Sequence, residues 1–186
     1  MPFFAQLKDV GPVVLPYPEG AADLRREMGA SPSDAVVLVS MGGVRMDEFP
    51  YPALEDMSGY RFIVVGTVPD GYRHIREVRS LRCSYHAIFM AADIVVSKPG
   101  YNTVVEAVSR SKPFAYVRRR TFVDEQTLVQ YLHKYGRGIE FSPKDFVEGR
   151  WREALDALRR LPVPPEQPPA PTGAQEAADL LEAYLR

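Results

Sequence analysis

Residues 94–107 read Ile94-Val95-Val96-Ser97-Lys98-Pro99-Gly100-Tyr101-Asn102-Thr103-Val104-Val105-Glu106-Ala107. Three β-branched residues in succession suit a strand buried on both faces of a parallel sheet, where no polar alternation is required. Pro99 and Gly100 break that strand, and the residues after them fit a helix beginning at Tyr101 or Asn102. Other continuous apolar runs stand at 13–15, 36–39, 62–65 and 114–117, and a shorter strand-like stretch at 139–141. Between them lie helical stripes: Ala21, Leu24 and Met28; Leu128, Val129, Leu132 and Tyr135; Trp151, Leu155 and Leu158. Strand and helix alternate, so the expected class is α/β, a Rossmann-like parallel sheet flanked by helices with right-handed crossovers.

A length of 186 residues suits one domain, and 46% apolar residues supply a core. The formal net charge of −1 gives no overall positive field, so nucleic acid is not an expected partner. Cys83 is the single cysteine and has no internal disulfide partner. The opening MPFFAQLKDV lacks a basic segment followed by a long apolar one, and no apolar run approaches the roughly 20 residues that span a bilayer. The expectation is a soluble, cytoplasmic protein. Its organisation is read as a Rossmann-like domain over 1–161, a linker over 162–172 and a C-terminal helix over 173–186. Six prolines between Pro162 and Pro171 make that linker an extended spacer. Thr172 fits the cap of a helix striped by Ala177, Leu180, Leu181 and Tyr184, which must dock on this domain or on a partner.

Open parallel sheets bind ligands beyond the carboxyl ends of their strands, so the strand-to-helix loops carry the chemistry. One is Ser40-Met41-Gly42-Gly43, where paired glycines either admit a ligand against the backbone or simply end the strand. The other opens the helix at Tyr101, whose first amides lack intrahelical partners and favour an anion. Asn102, Thr103 and Glu106 fall at helical spacing on one face. That face either presents phosphate donors and a ribose-binding carboxylate to one ligand, or serves only as helix caps and a solvated acid. Asp124-Glu125-Gln126 either complements a helix dipole or holds sugar hydroxyls. The loop Arg118-Arg119-Arg120 is a solvated turn or a contact for diphosphate or an anionic acceptor. His74, His86 and His133 have no metal-ligand spacing; Tyr85-His86 is placed near a nucleobase or at the surface.

In order, these motifs resemble the C-terminal donor domain of GT-B-fold glycosyltransferases, especially enzymes similar to the UDP-N-acetylglucosamine transferase of peptidoglycan lipid intermediate synthesis. The resemblance rests on residues 36–43, 91–107, 124–126 and 173–181, and the 91–107 motif is the most specific. It implies that Gly42, Gly43, Lys98, Gly100, Asn102 and Thr103 bind the donor diphosphate. Glu106 would hold the ribose, and Asp124, Glu125 and Gln126 the transferred sugar. It further implies a nucleotide-sugar (a UDP-sugar) as substrate, with no separate cofactor and no metal, and a second, acceptor-binding domain or subunit as partner. Any membrane contact would come through that second half.

The sequence departs from the family after Gly43, where Val44-Arg45-Met46 replaces a Ser-x-Gly continuation, and at Lys98-Pro99, where small residues are usual. No general base is identified, so no catalytic residue is assigned. Two rival functions share these contacts. One is a non-catalytic nucleotide- or sugar-binding regulatory module; the other is a related GT-B chemistry, such as a UDP-sugar epimerase or the accessory domain of a fused sugar kinase.

Overall fold

A computed structural model describes residues 7–16, 23–42, 49–119 and 122–185. Six parallel strands form one sheet: β1 (Ala35–Ser40), β2 (Tyr60–Val64), β3 (Ile75–Glu77), β4 (Ile94–Ser97), β5 (Phe114–Tyr116) and β6 (Gly138–Glu140). Their order is 3-2-1-4-5-6, the doubly wound order of Rossmann-type sheets. Every neighbouring pair is parallel, with Ser40 beside Ser97 at the carboxyl ends of β1 and β4. The expected α/β class with a parallel sheet is therefore the observed one.

Among the described residues, eight α-helices precede, connect or follow the strands: α1 (Leu24–Glu27), α2 (Tyr51–Glu55), α3 (Tyr85–Ala91), α4 (Tyr101–Ser109), α5 (Glu125–Tyr135), α6 (Pro143–Val147), α7 (Arg152–Arg160) and α8 (Gly173–Leu185). Successive strand residues point to opposite faces, and β1 divides accordingly. Val37 and Val39 join the core containing Leu54, Phe146, Trp151, Leu155 and Leu158, which belongs to α2, α6 and α7 with their flanks. Val36 and Leu38 join the core containing Leu24, Ile88, Val104, Val108, Leu128 and Leu132, from α1, α3, α4 and α5. Burial on both faces is why β1 reads as an unbroken apolar run.

Two local expectations change. Residues 13–15 are not a strand; they run outside the sheet, and the Val13 amide donates to the Tyr101 hydroxyl at 3.1 Å. Pro12 and Pro16 remove the amide hydrogens at both ends of this short run, which makes it a poor ladder partner. β3 had no apolar run to announce it: of Ile75, Arg76 and Glu77 only Ile75 is buried. Ala21 of the first helical stripe lies outside the described residues. No helix among the described residues is long and apolar enough to cross a membrane.

The proline-rich stretch carries no helix or strand, and Lys134 on α5 pairs with Glu166 within it at 2.9 Å. α8 turns back onto residues 11–12: the Gly11 amide donates to Glu176 at 2.9 Å, and the Gly173 amide donates to the Pro12 carbonyl at 3.1 Å. Leu181, Tyr184 and Leu185 farther along α8 are exposed.

Candidate functional site at the switch point

The sheet reverses its winding between β1 and β4, which opens a crevice beyond their carboxyl ends. Side chains from the two strand ends hold its floor. Ser97 is buried, and its hydroxyl donates to the Ser40 carbonyl at 2.5 Å. Lys98 Nζ donates to the Gly42 carbonyl at 2.7 Å, crossing from one loop to the other. Gly42 has φ +48°, a conformation in which a side chain would be strained. Gly43, expected beside the diphosphate, and the departure at Val44-Arg45-Met46 lie outside the described residues, as does Arg120.

Above this floor lies a cavity of about 460 Å³, within the size range of small-molecule sites. Its walls include Ser40 and Gly42 from the β1 end, Asn102, Thr103 and Glu106 from α4, and Tyr85 and His86 from α3. α4 starts at Tyr101 with Gly100 as N-cap and no side chain capping it, so neither Asn102 nor Thr103 is used as a cap. The helix therefore directs its first-turn amides and its positive dipole end toward this crevice. One turn deeper, Glu106 is only 7% exposed, so it is not the solvated surface acid that its position on an amphipathic helix also allowed. Hydrogen-bond donors at the start of α4 and a sheltered carboxylate one turn on share one wall.

Two titrating groups report the local field. Burial pushes the Tyr85 hydroxyl above its ordinary range; its bond to Ser40 Oγ, at 3.2 Å, opposes this, and the charge of Glu106 adds to the rise. Burial also lowers the Lys98 ammonium, and the neighbouring Arg119 lowers it further. Lys98 thus bonds a neutral carbonyl while another cation stands nearby, an environment that an anionic ligand would relieve.

The acidic cluster is arranged differently from the α4 residues. Asp124, Glu125 and Gln126 are not among the residues lining the switch-point cavity. Glu125 is 1% exposed, accepts the Arg119 amide at 2.9 Å and lies 3.4 Å from Arg118 Nε. Gln126 accepts from Arg118 at 2.5 Å. Asp124 lines a separate, largely apolar cavity of about 310 Å³ with Tyr101, Val105, Leu128 and Tyr131. Arg118 and Arg119 are therefore engaged with the start of α5 rather than forming a freely solvated turn, and Arg119 also lies over the Phe122 ring at 3.6 Å. The contribution that the sequence did not announce is the segment Val13, Val14 and Leu15, which lines the switch-point cavity. Its apolar character suggested a strand; only the flanking prolines hinted otherwise.

The parallel sheet and its flanking helix layers match one half of the chains of solved proteins with the GT-B fold. Among solved structures, the calicheamicin glycosyltransferase CalG4 matches 94% of this chain and 45% of its own, with a TM-score of 0.60 and 18% identity. Acinetobacter baumannii MurG matches 97% of this chain and 57% of its own, with a TM-score of 0.59 and 13% identity. Os79 from O. sativa, solved in complex with UDP, matches 76% of this chain and 37% of its own, with a TM-score of 0.52 and 21% identity. The chain thus spans about half the length of these proteins or less. In sequence it is 28% identical over 187 residues to the L-arabinokinase of Arabidopsis thaliana, a match that takes in 98% of this chain and 17% of that protein. No protein-family profile matches the chain.

Proposed function

We propose that this chain binds a nucleotide-sugar at the β1–β4 switch point, as the donor half of a glycosyltransferase whose acceptor-binding half is supplied by another region or another chain. The observation that carries the reading is the sharing of one cavity by the uncapped start of α4 and the sheltered Glu106. The diphosphate lies against the loop at Gly42 and Gly43, the amides from Gly100 onward, Asn102, Thr103 and the Lys98 ammonium. Ribose hydroxyls donate to Glu106, because a carboxylate accepts hydroxyls and repels phosphate. The sugar extends toward Asp124, Glu125 and Gln126, which requires Arg118 to release Gln126. Transfer would place negative charge on the departing diphosphate, and the dipole of α4 with Lys98 would stabilise it without a metal. The UDP bound by Os79 supports UDP as the first nucleotide to try.

Calorimetric titration of the chain with UDP, GDP and ADP tests this reading. One of the three is expected to bind in the micromolar to low-millimolar range. Lys98→Ala is expected to weaken that diphosphate about tenfold, the low end for a partly exposed charge-assisted contact, while leaving binding of the corresponding nucleoside unchanged. Absence of binding by all three would sink the proposal, and equal losses for nucleotide and nucleoside would remove Lys98 from the phosphate site.

A second reading is favoured by the match to L-arabinokinase along nearly the whole chain. In it the same cavity serves a nucleotide- or sugar-binding module attached to a protein with other chemistry. The two readings part on turnover. Sugar transfer from a nucleotide-sugar in the presence of a complementing acceptor half supports the first, and saturable binding with no product supports the second.

A further inference from the structure

The wall formed by Val13, Val14 and Leu15 belongs to a strap, residues 10–15, that is held outside the sheet at several points. The Val13 amide donates to Tyr101, and Arg110 donates to the Leu15 carbonyl at 3.3 Å. The remaining ties come from the far end of the chain: Glu176 accepts the Gly11 amide, and the Gly173 amide donates to the Pro12 carbonyl. Thr172 bonds the other Glu176 oxygen. The approach is unusually close. A Cβ added to Gly173 would lie 1.9 Å from the Gly11 carbonyl oxygen, and one added to Gly11 would lie 2.9 Å from Thr172 Oγ1. Gly173 is the buried residue of α8, so the helix meets the domain through its first turn.

We propose that the first turn of α8 is a clamp that positions one wall of the ligand cavity, with Gly173 and Glu176 as the positioning residues. The inference rests on the nucleotide reading of that cavity for its ligand readout only. The physical route is short: the clamp fixes Gly11 and Pro12, and the next three residues are the wall. Released from α8, the strap keeps its tie to Tyr101 but samples more conformations. Apparent affinity then falls by the fraction of molecules whose wall is in place. The proline-rich arm has a role in this arrangement, since it carries α8 back to the opposite terminus of the chain without a helix or strand of its own.

The test uses the full chain and three variants, Gly173→Ala, Glu176→Ala and Glu176→Gln, with two measurements on each. Hydrogen exchange is followed at the amides of Gly11, Val13, Val14 and Leu15, and UDP is titrated as the probe. In Gly173→Ala and Glu176→Ala the strap amides are expected to exchange at least about tenfold faster. The Kd for UDP should rise about tenfold, about 1.4 kcal/mol. Glu176→Gln keeps a carbonyl acceptor for the Gly11 amide and is expected to recover most of both effects. Fluorescence of the buried Trp151 should stay unchanged, because the contact is remote from its core. Parent-like exchange at Val13 to Leu15, or a Kd within twofold of the parent beside accelerated exchange, overturns the proposal. If the parent chain binds none of UDP, GDP and ADP, the nucleotide reading has failed. Strap exchange alone then decides whether α8 holds the cavity wall.

Discussion

Replacing Glu106 with alanine is expected to raise the Kd for the preferred nucleoside diphosphate by about 100-fold or more. A hydrogen bond to a charged group contributes about 1.5–3 kcal/mol, and a carboxylate facing a ribose accepts two of them, so the loss starts at about 3 kcal/mol. Glu106 is well placed to reach that range, because at 7% exposure its contacts are sheltered from water and from salt screening. Glu106→Gln keeps an acceptor oxygen but loses the charge, and about a tenfold loss is expected. The discriminating comparison is with the 2′-deoxy form of the same nucleotide. The parent should bind it more weakly than the ribonucleotide, whereas Glu106→Ala should bind the two alike. An alanine variant that binds within threefold of the parent, or that still separates the two sugars, removes Glu106 from the ribose site.

Part of this cavity's lining could be read from the sequence because it is local. Asn102, Thr103 and Glu106 sit on one helix, where a spacing of three or four residues fixes a shared face whatever the rest of the chain does. The break at Pro99 and Gly100 located the start of α4, and with it the dipole end. Long-range placement was less legible. Glu125 and Gln126 are charged and polar in the sequence, yet the fold turns them toward Arg118 and Arg119 beyond the end of β5, an outcome that no local period announces. The strap is the clearest case. Val13, Val14 and Leu15 have strand composition, yet Gly11 and Pro12 just before them bond to α8, about 160 residues away in the chain.

The sheet itself was legible for a different reason. Four of its strands, β1, β2, β4 and β5, hold continuous apolar runs because both faces are covered, and a run of that kind has few alternatives in an α/β domain. β3 escaped because an edge strand with one covered residue needs no such run. The departure at Lys98 also gains a structural meaning here. Lys98 reaches across the crevice to the Gly42 carbonyl, so the bulky residue that departs from the glycosyltransferase pattern joins the two loops that the pattern brings together. On the proposed nucleotide reading, a diphosphate would compete with that carbonyl for the Lys98 ammonium.

Trp151→Ala is expected to cost about 3–5 kcal/mol of folding stability, a large share of the roughly 5–15 kcal/mol that holds a domain together. The ring is fully buried between α6 and the start of α7. It stacks on Phe146 at 5.0 Å, and Phe49 and Phe62 meet it edge-on at 5.8 and 5.9 Å. Its indole nitrogen donates to the Phe146 carbonyl at 2.9 Å. Alanine leaves a cavity among these rings and strands that carbonyl; Trp151→Phe fills most of the space but still strands it, at a cost of about 1–3 kcal/mol. Urea unfolding followed by circular dichroism should therefore rank the parent above the Phe variant and the Phe variant above the Ala variant. The core around Trp151 covers the face of the sheet opposite α3, α4 and α5, which build the ligand cavity. So the Ala variant, where it remains folded, should bind the nucleotide with the parent's Kd. A midpoint within about 1 kcal/mol of the parent would contradict the packing account. The expected loss of stability accompanied by weakened binding would mean that the two faces of the sheet do not act independently, and that the cavity depends on the rigidity of the whole sheet.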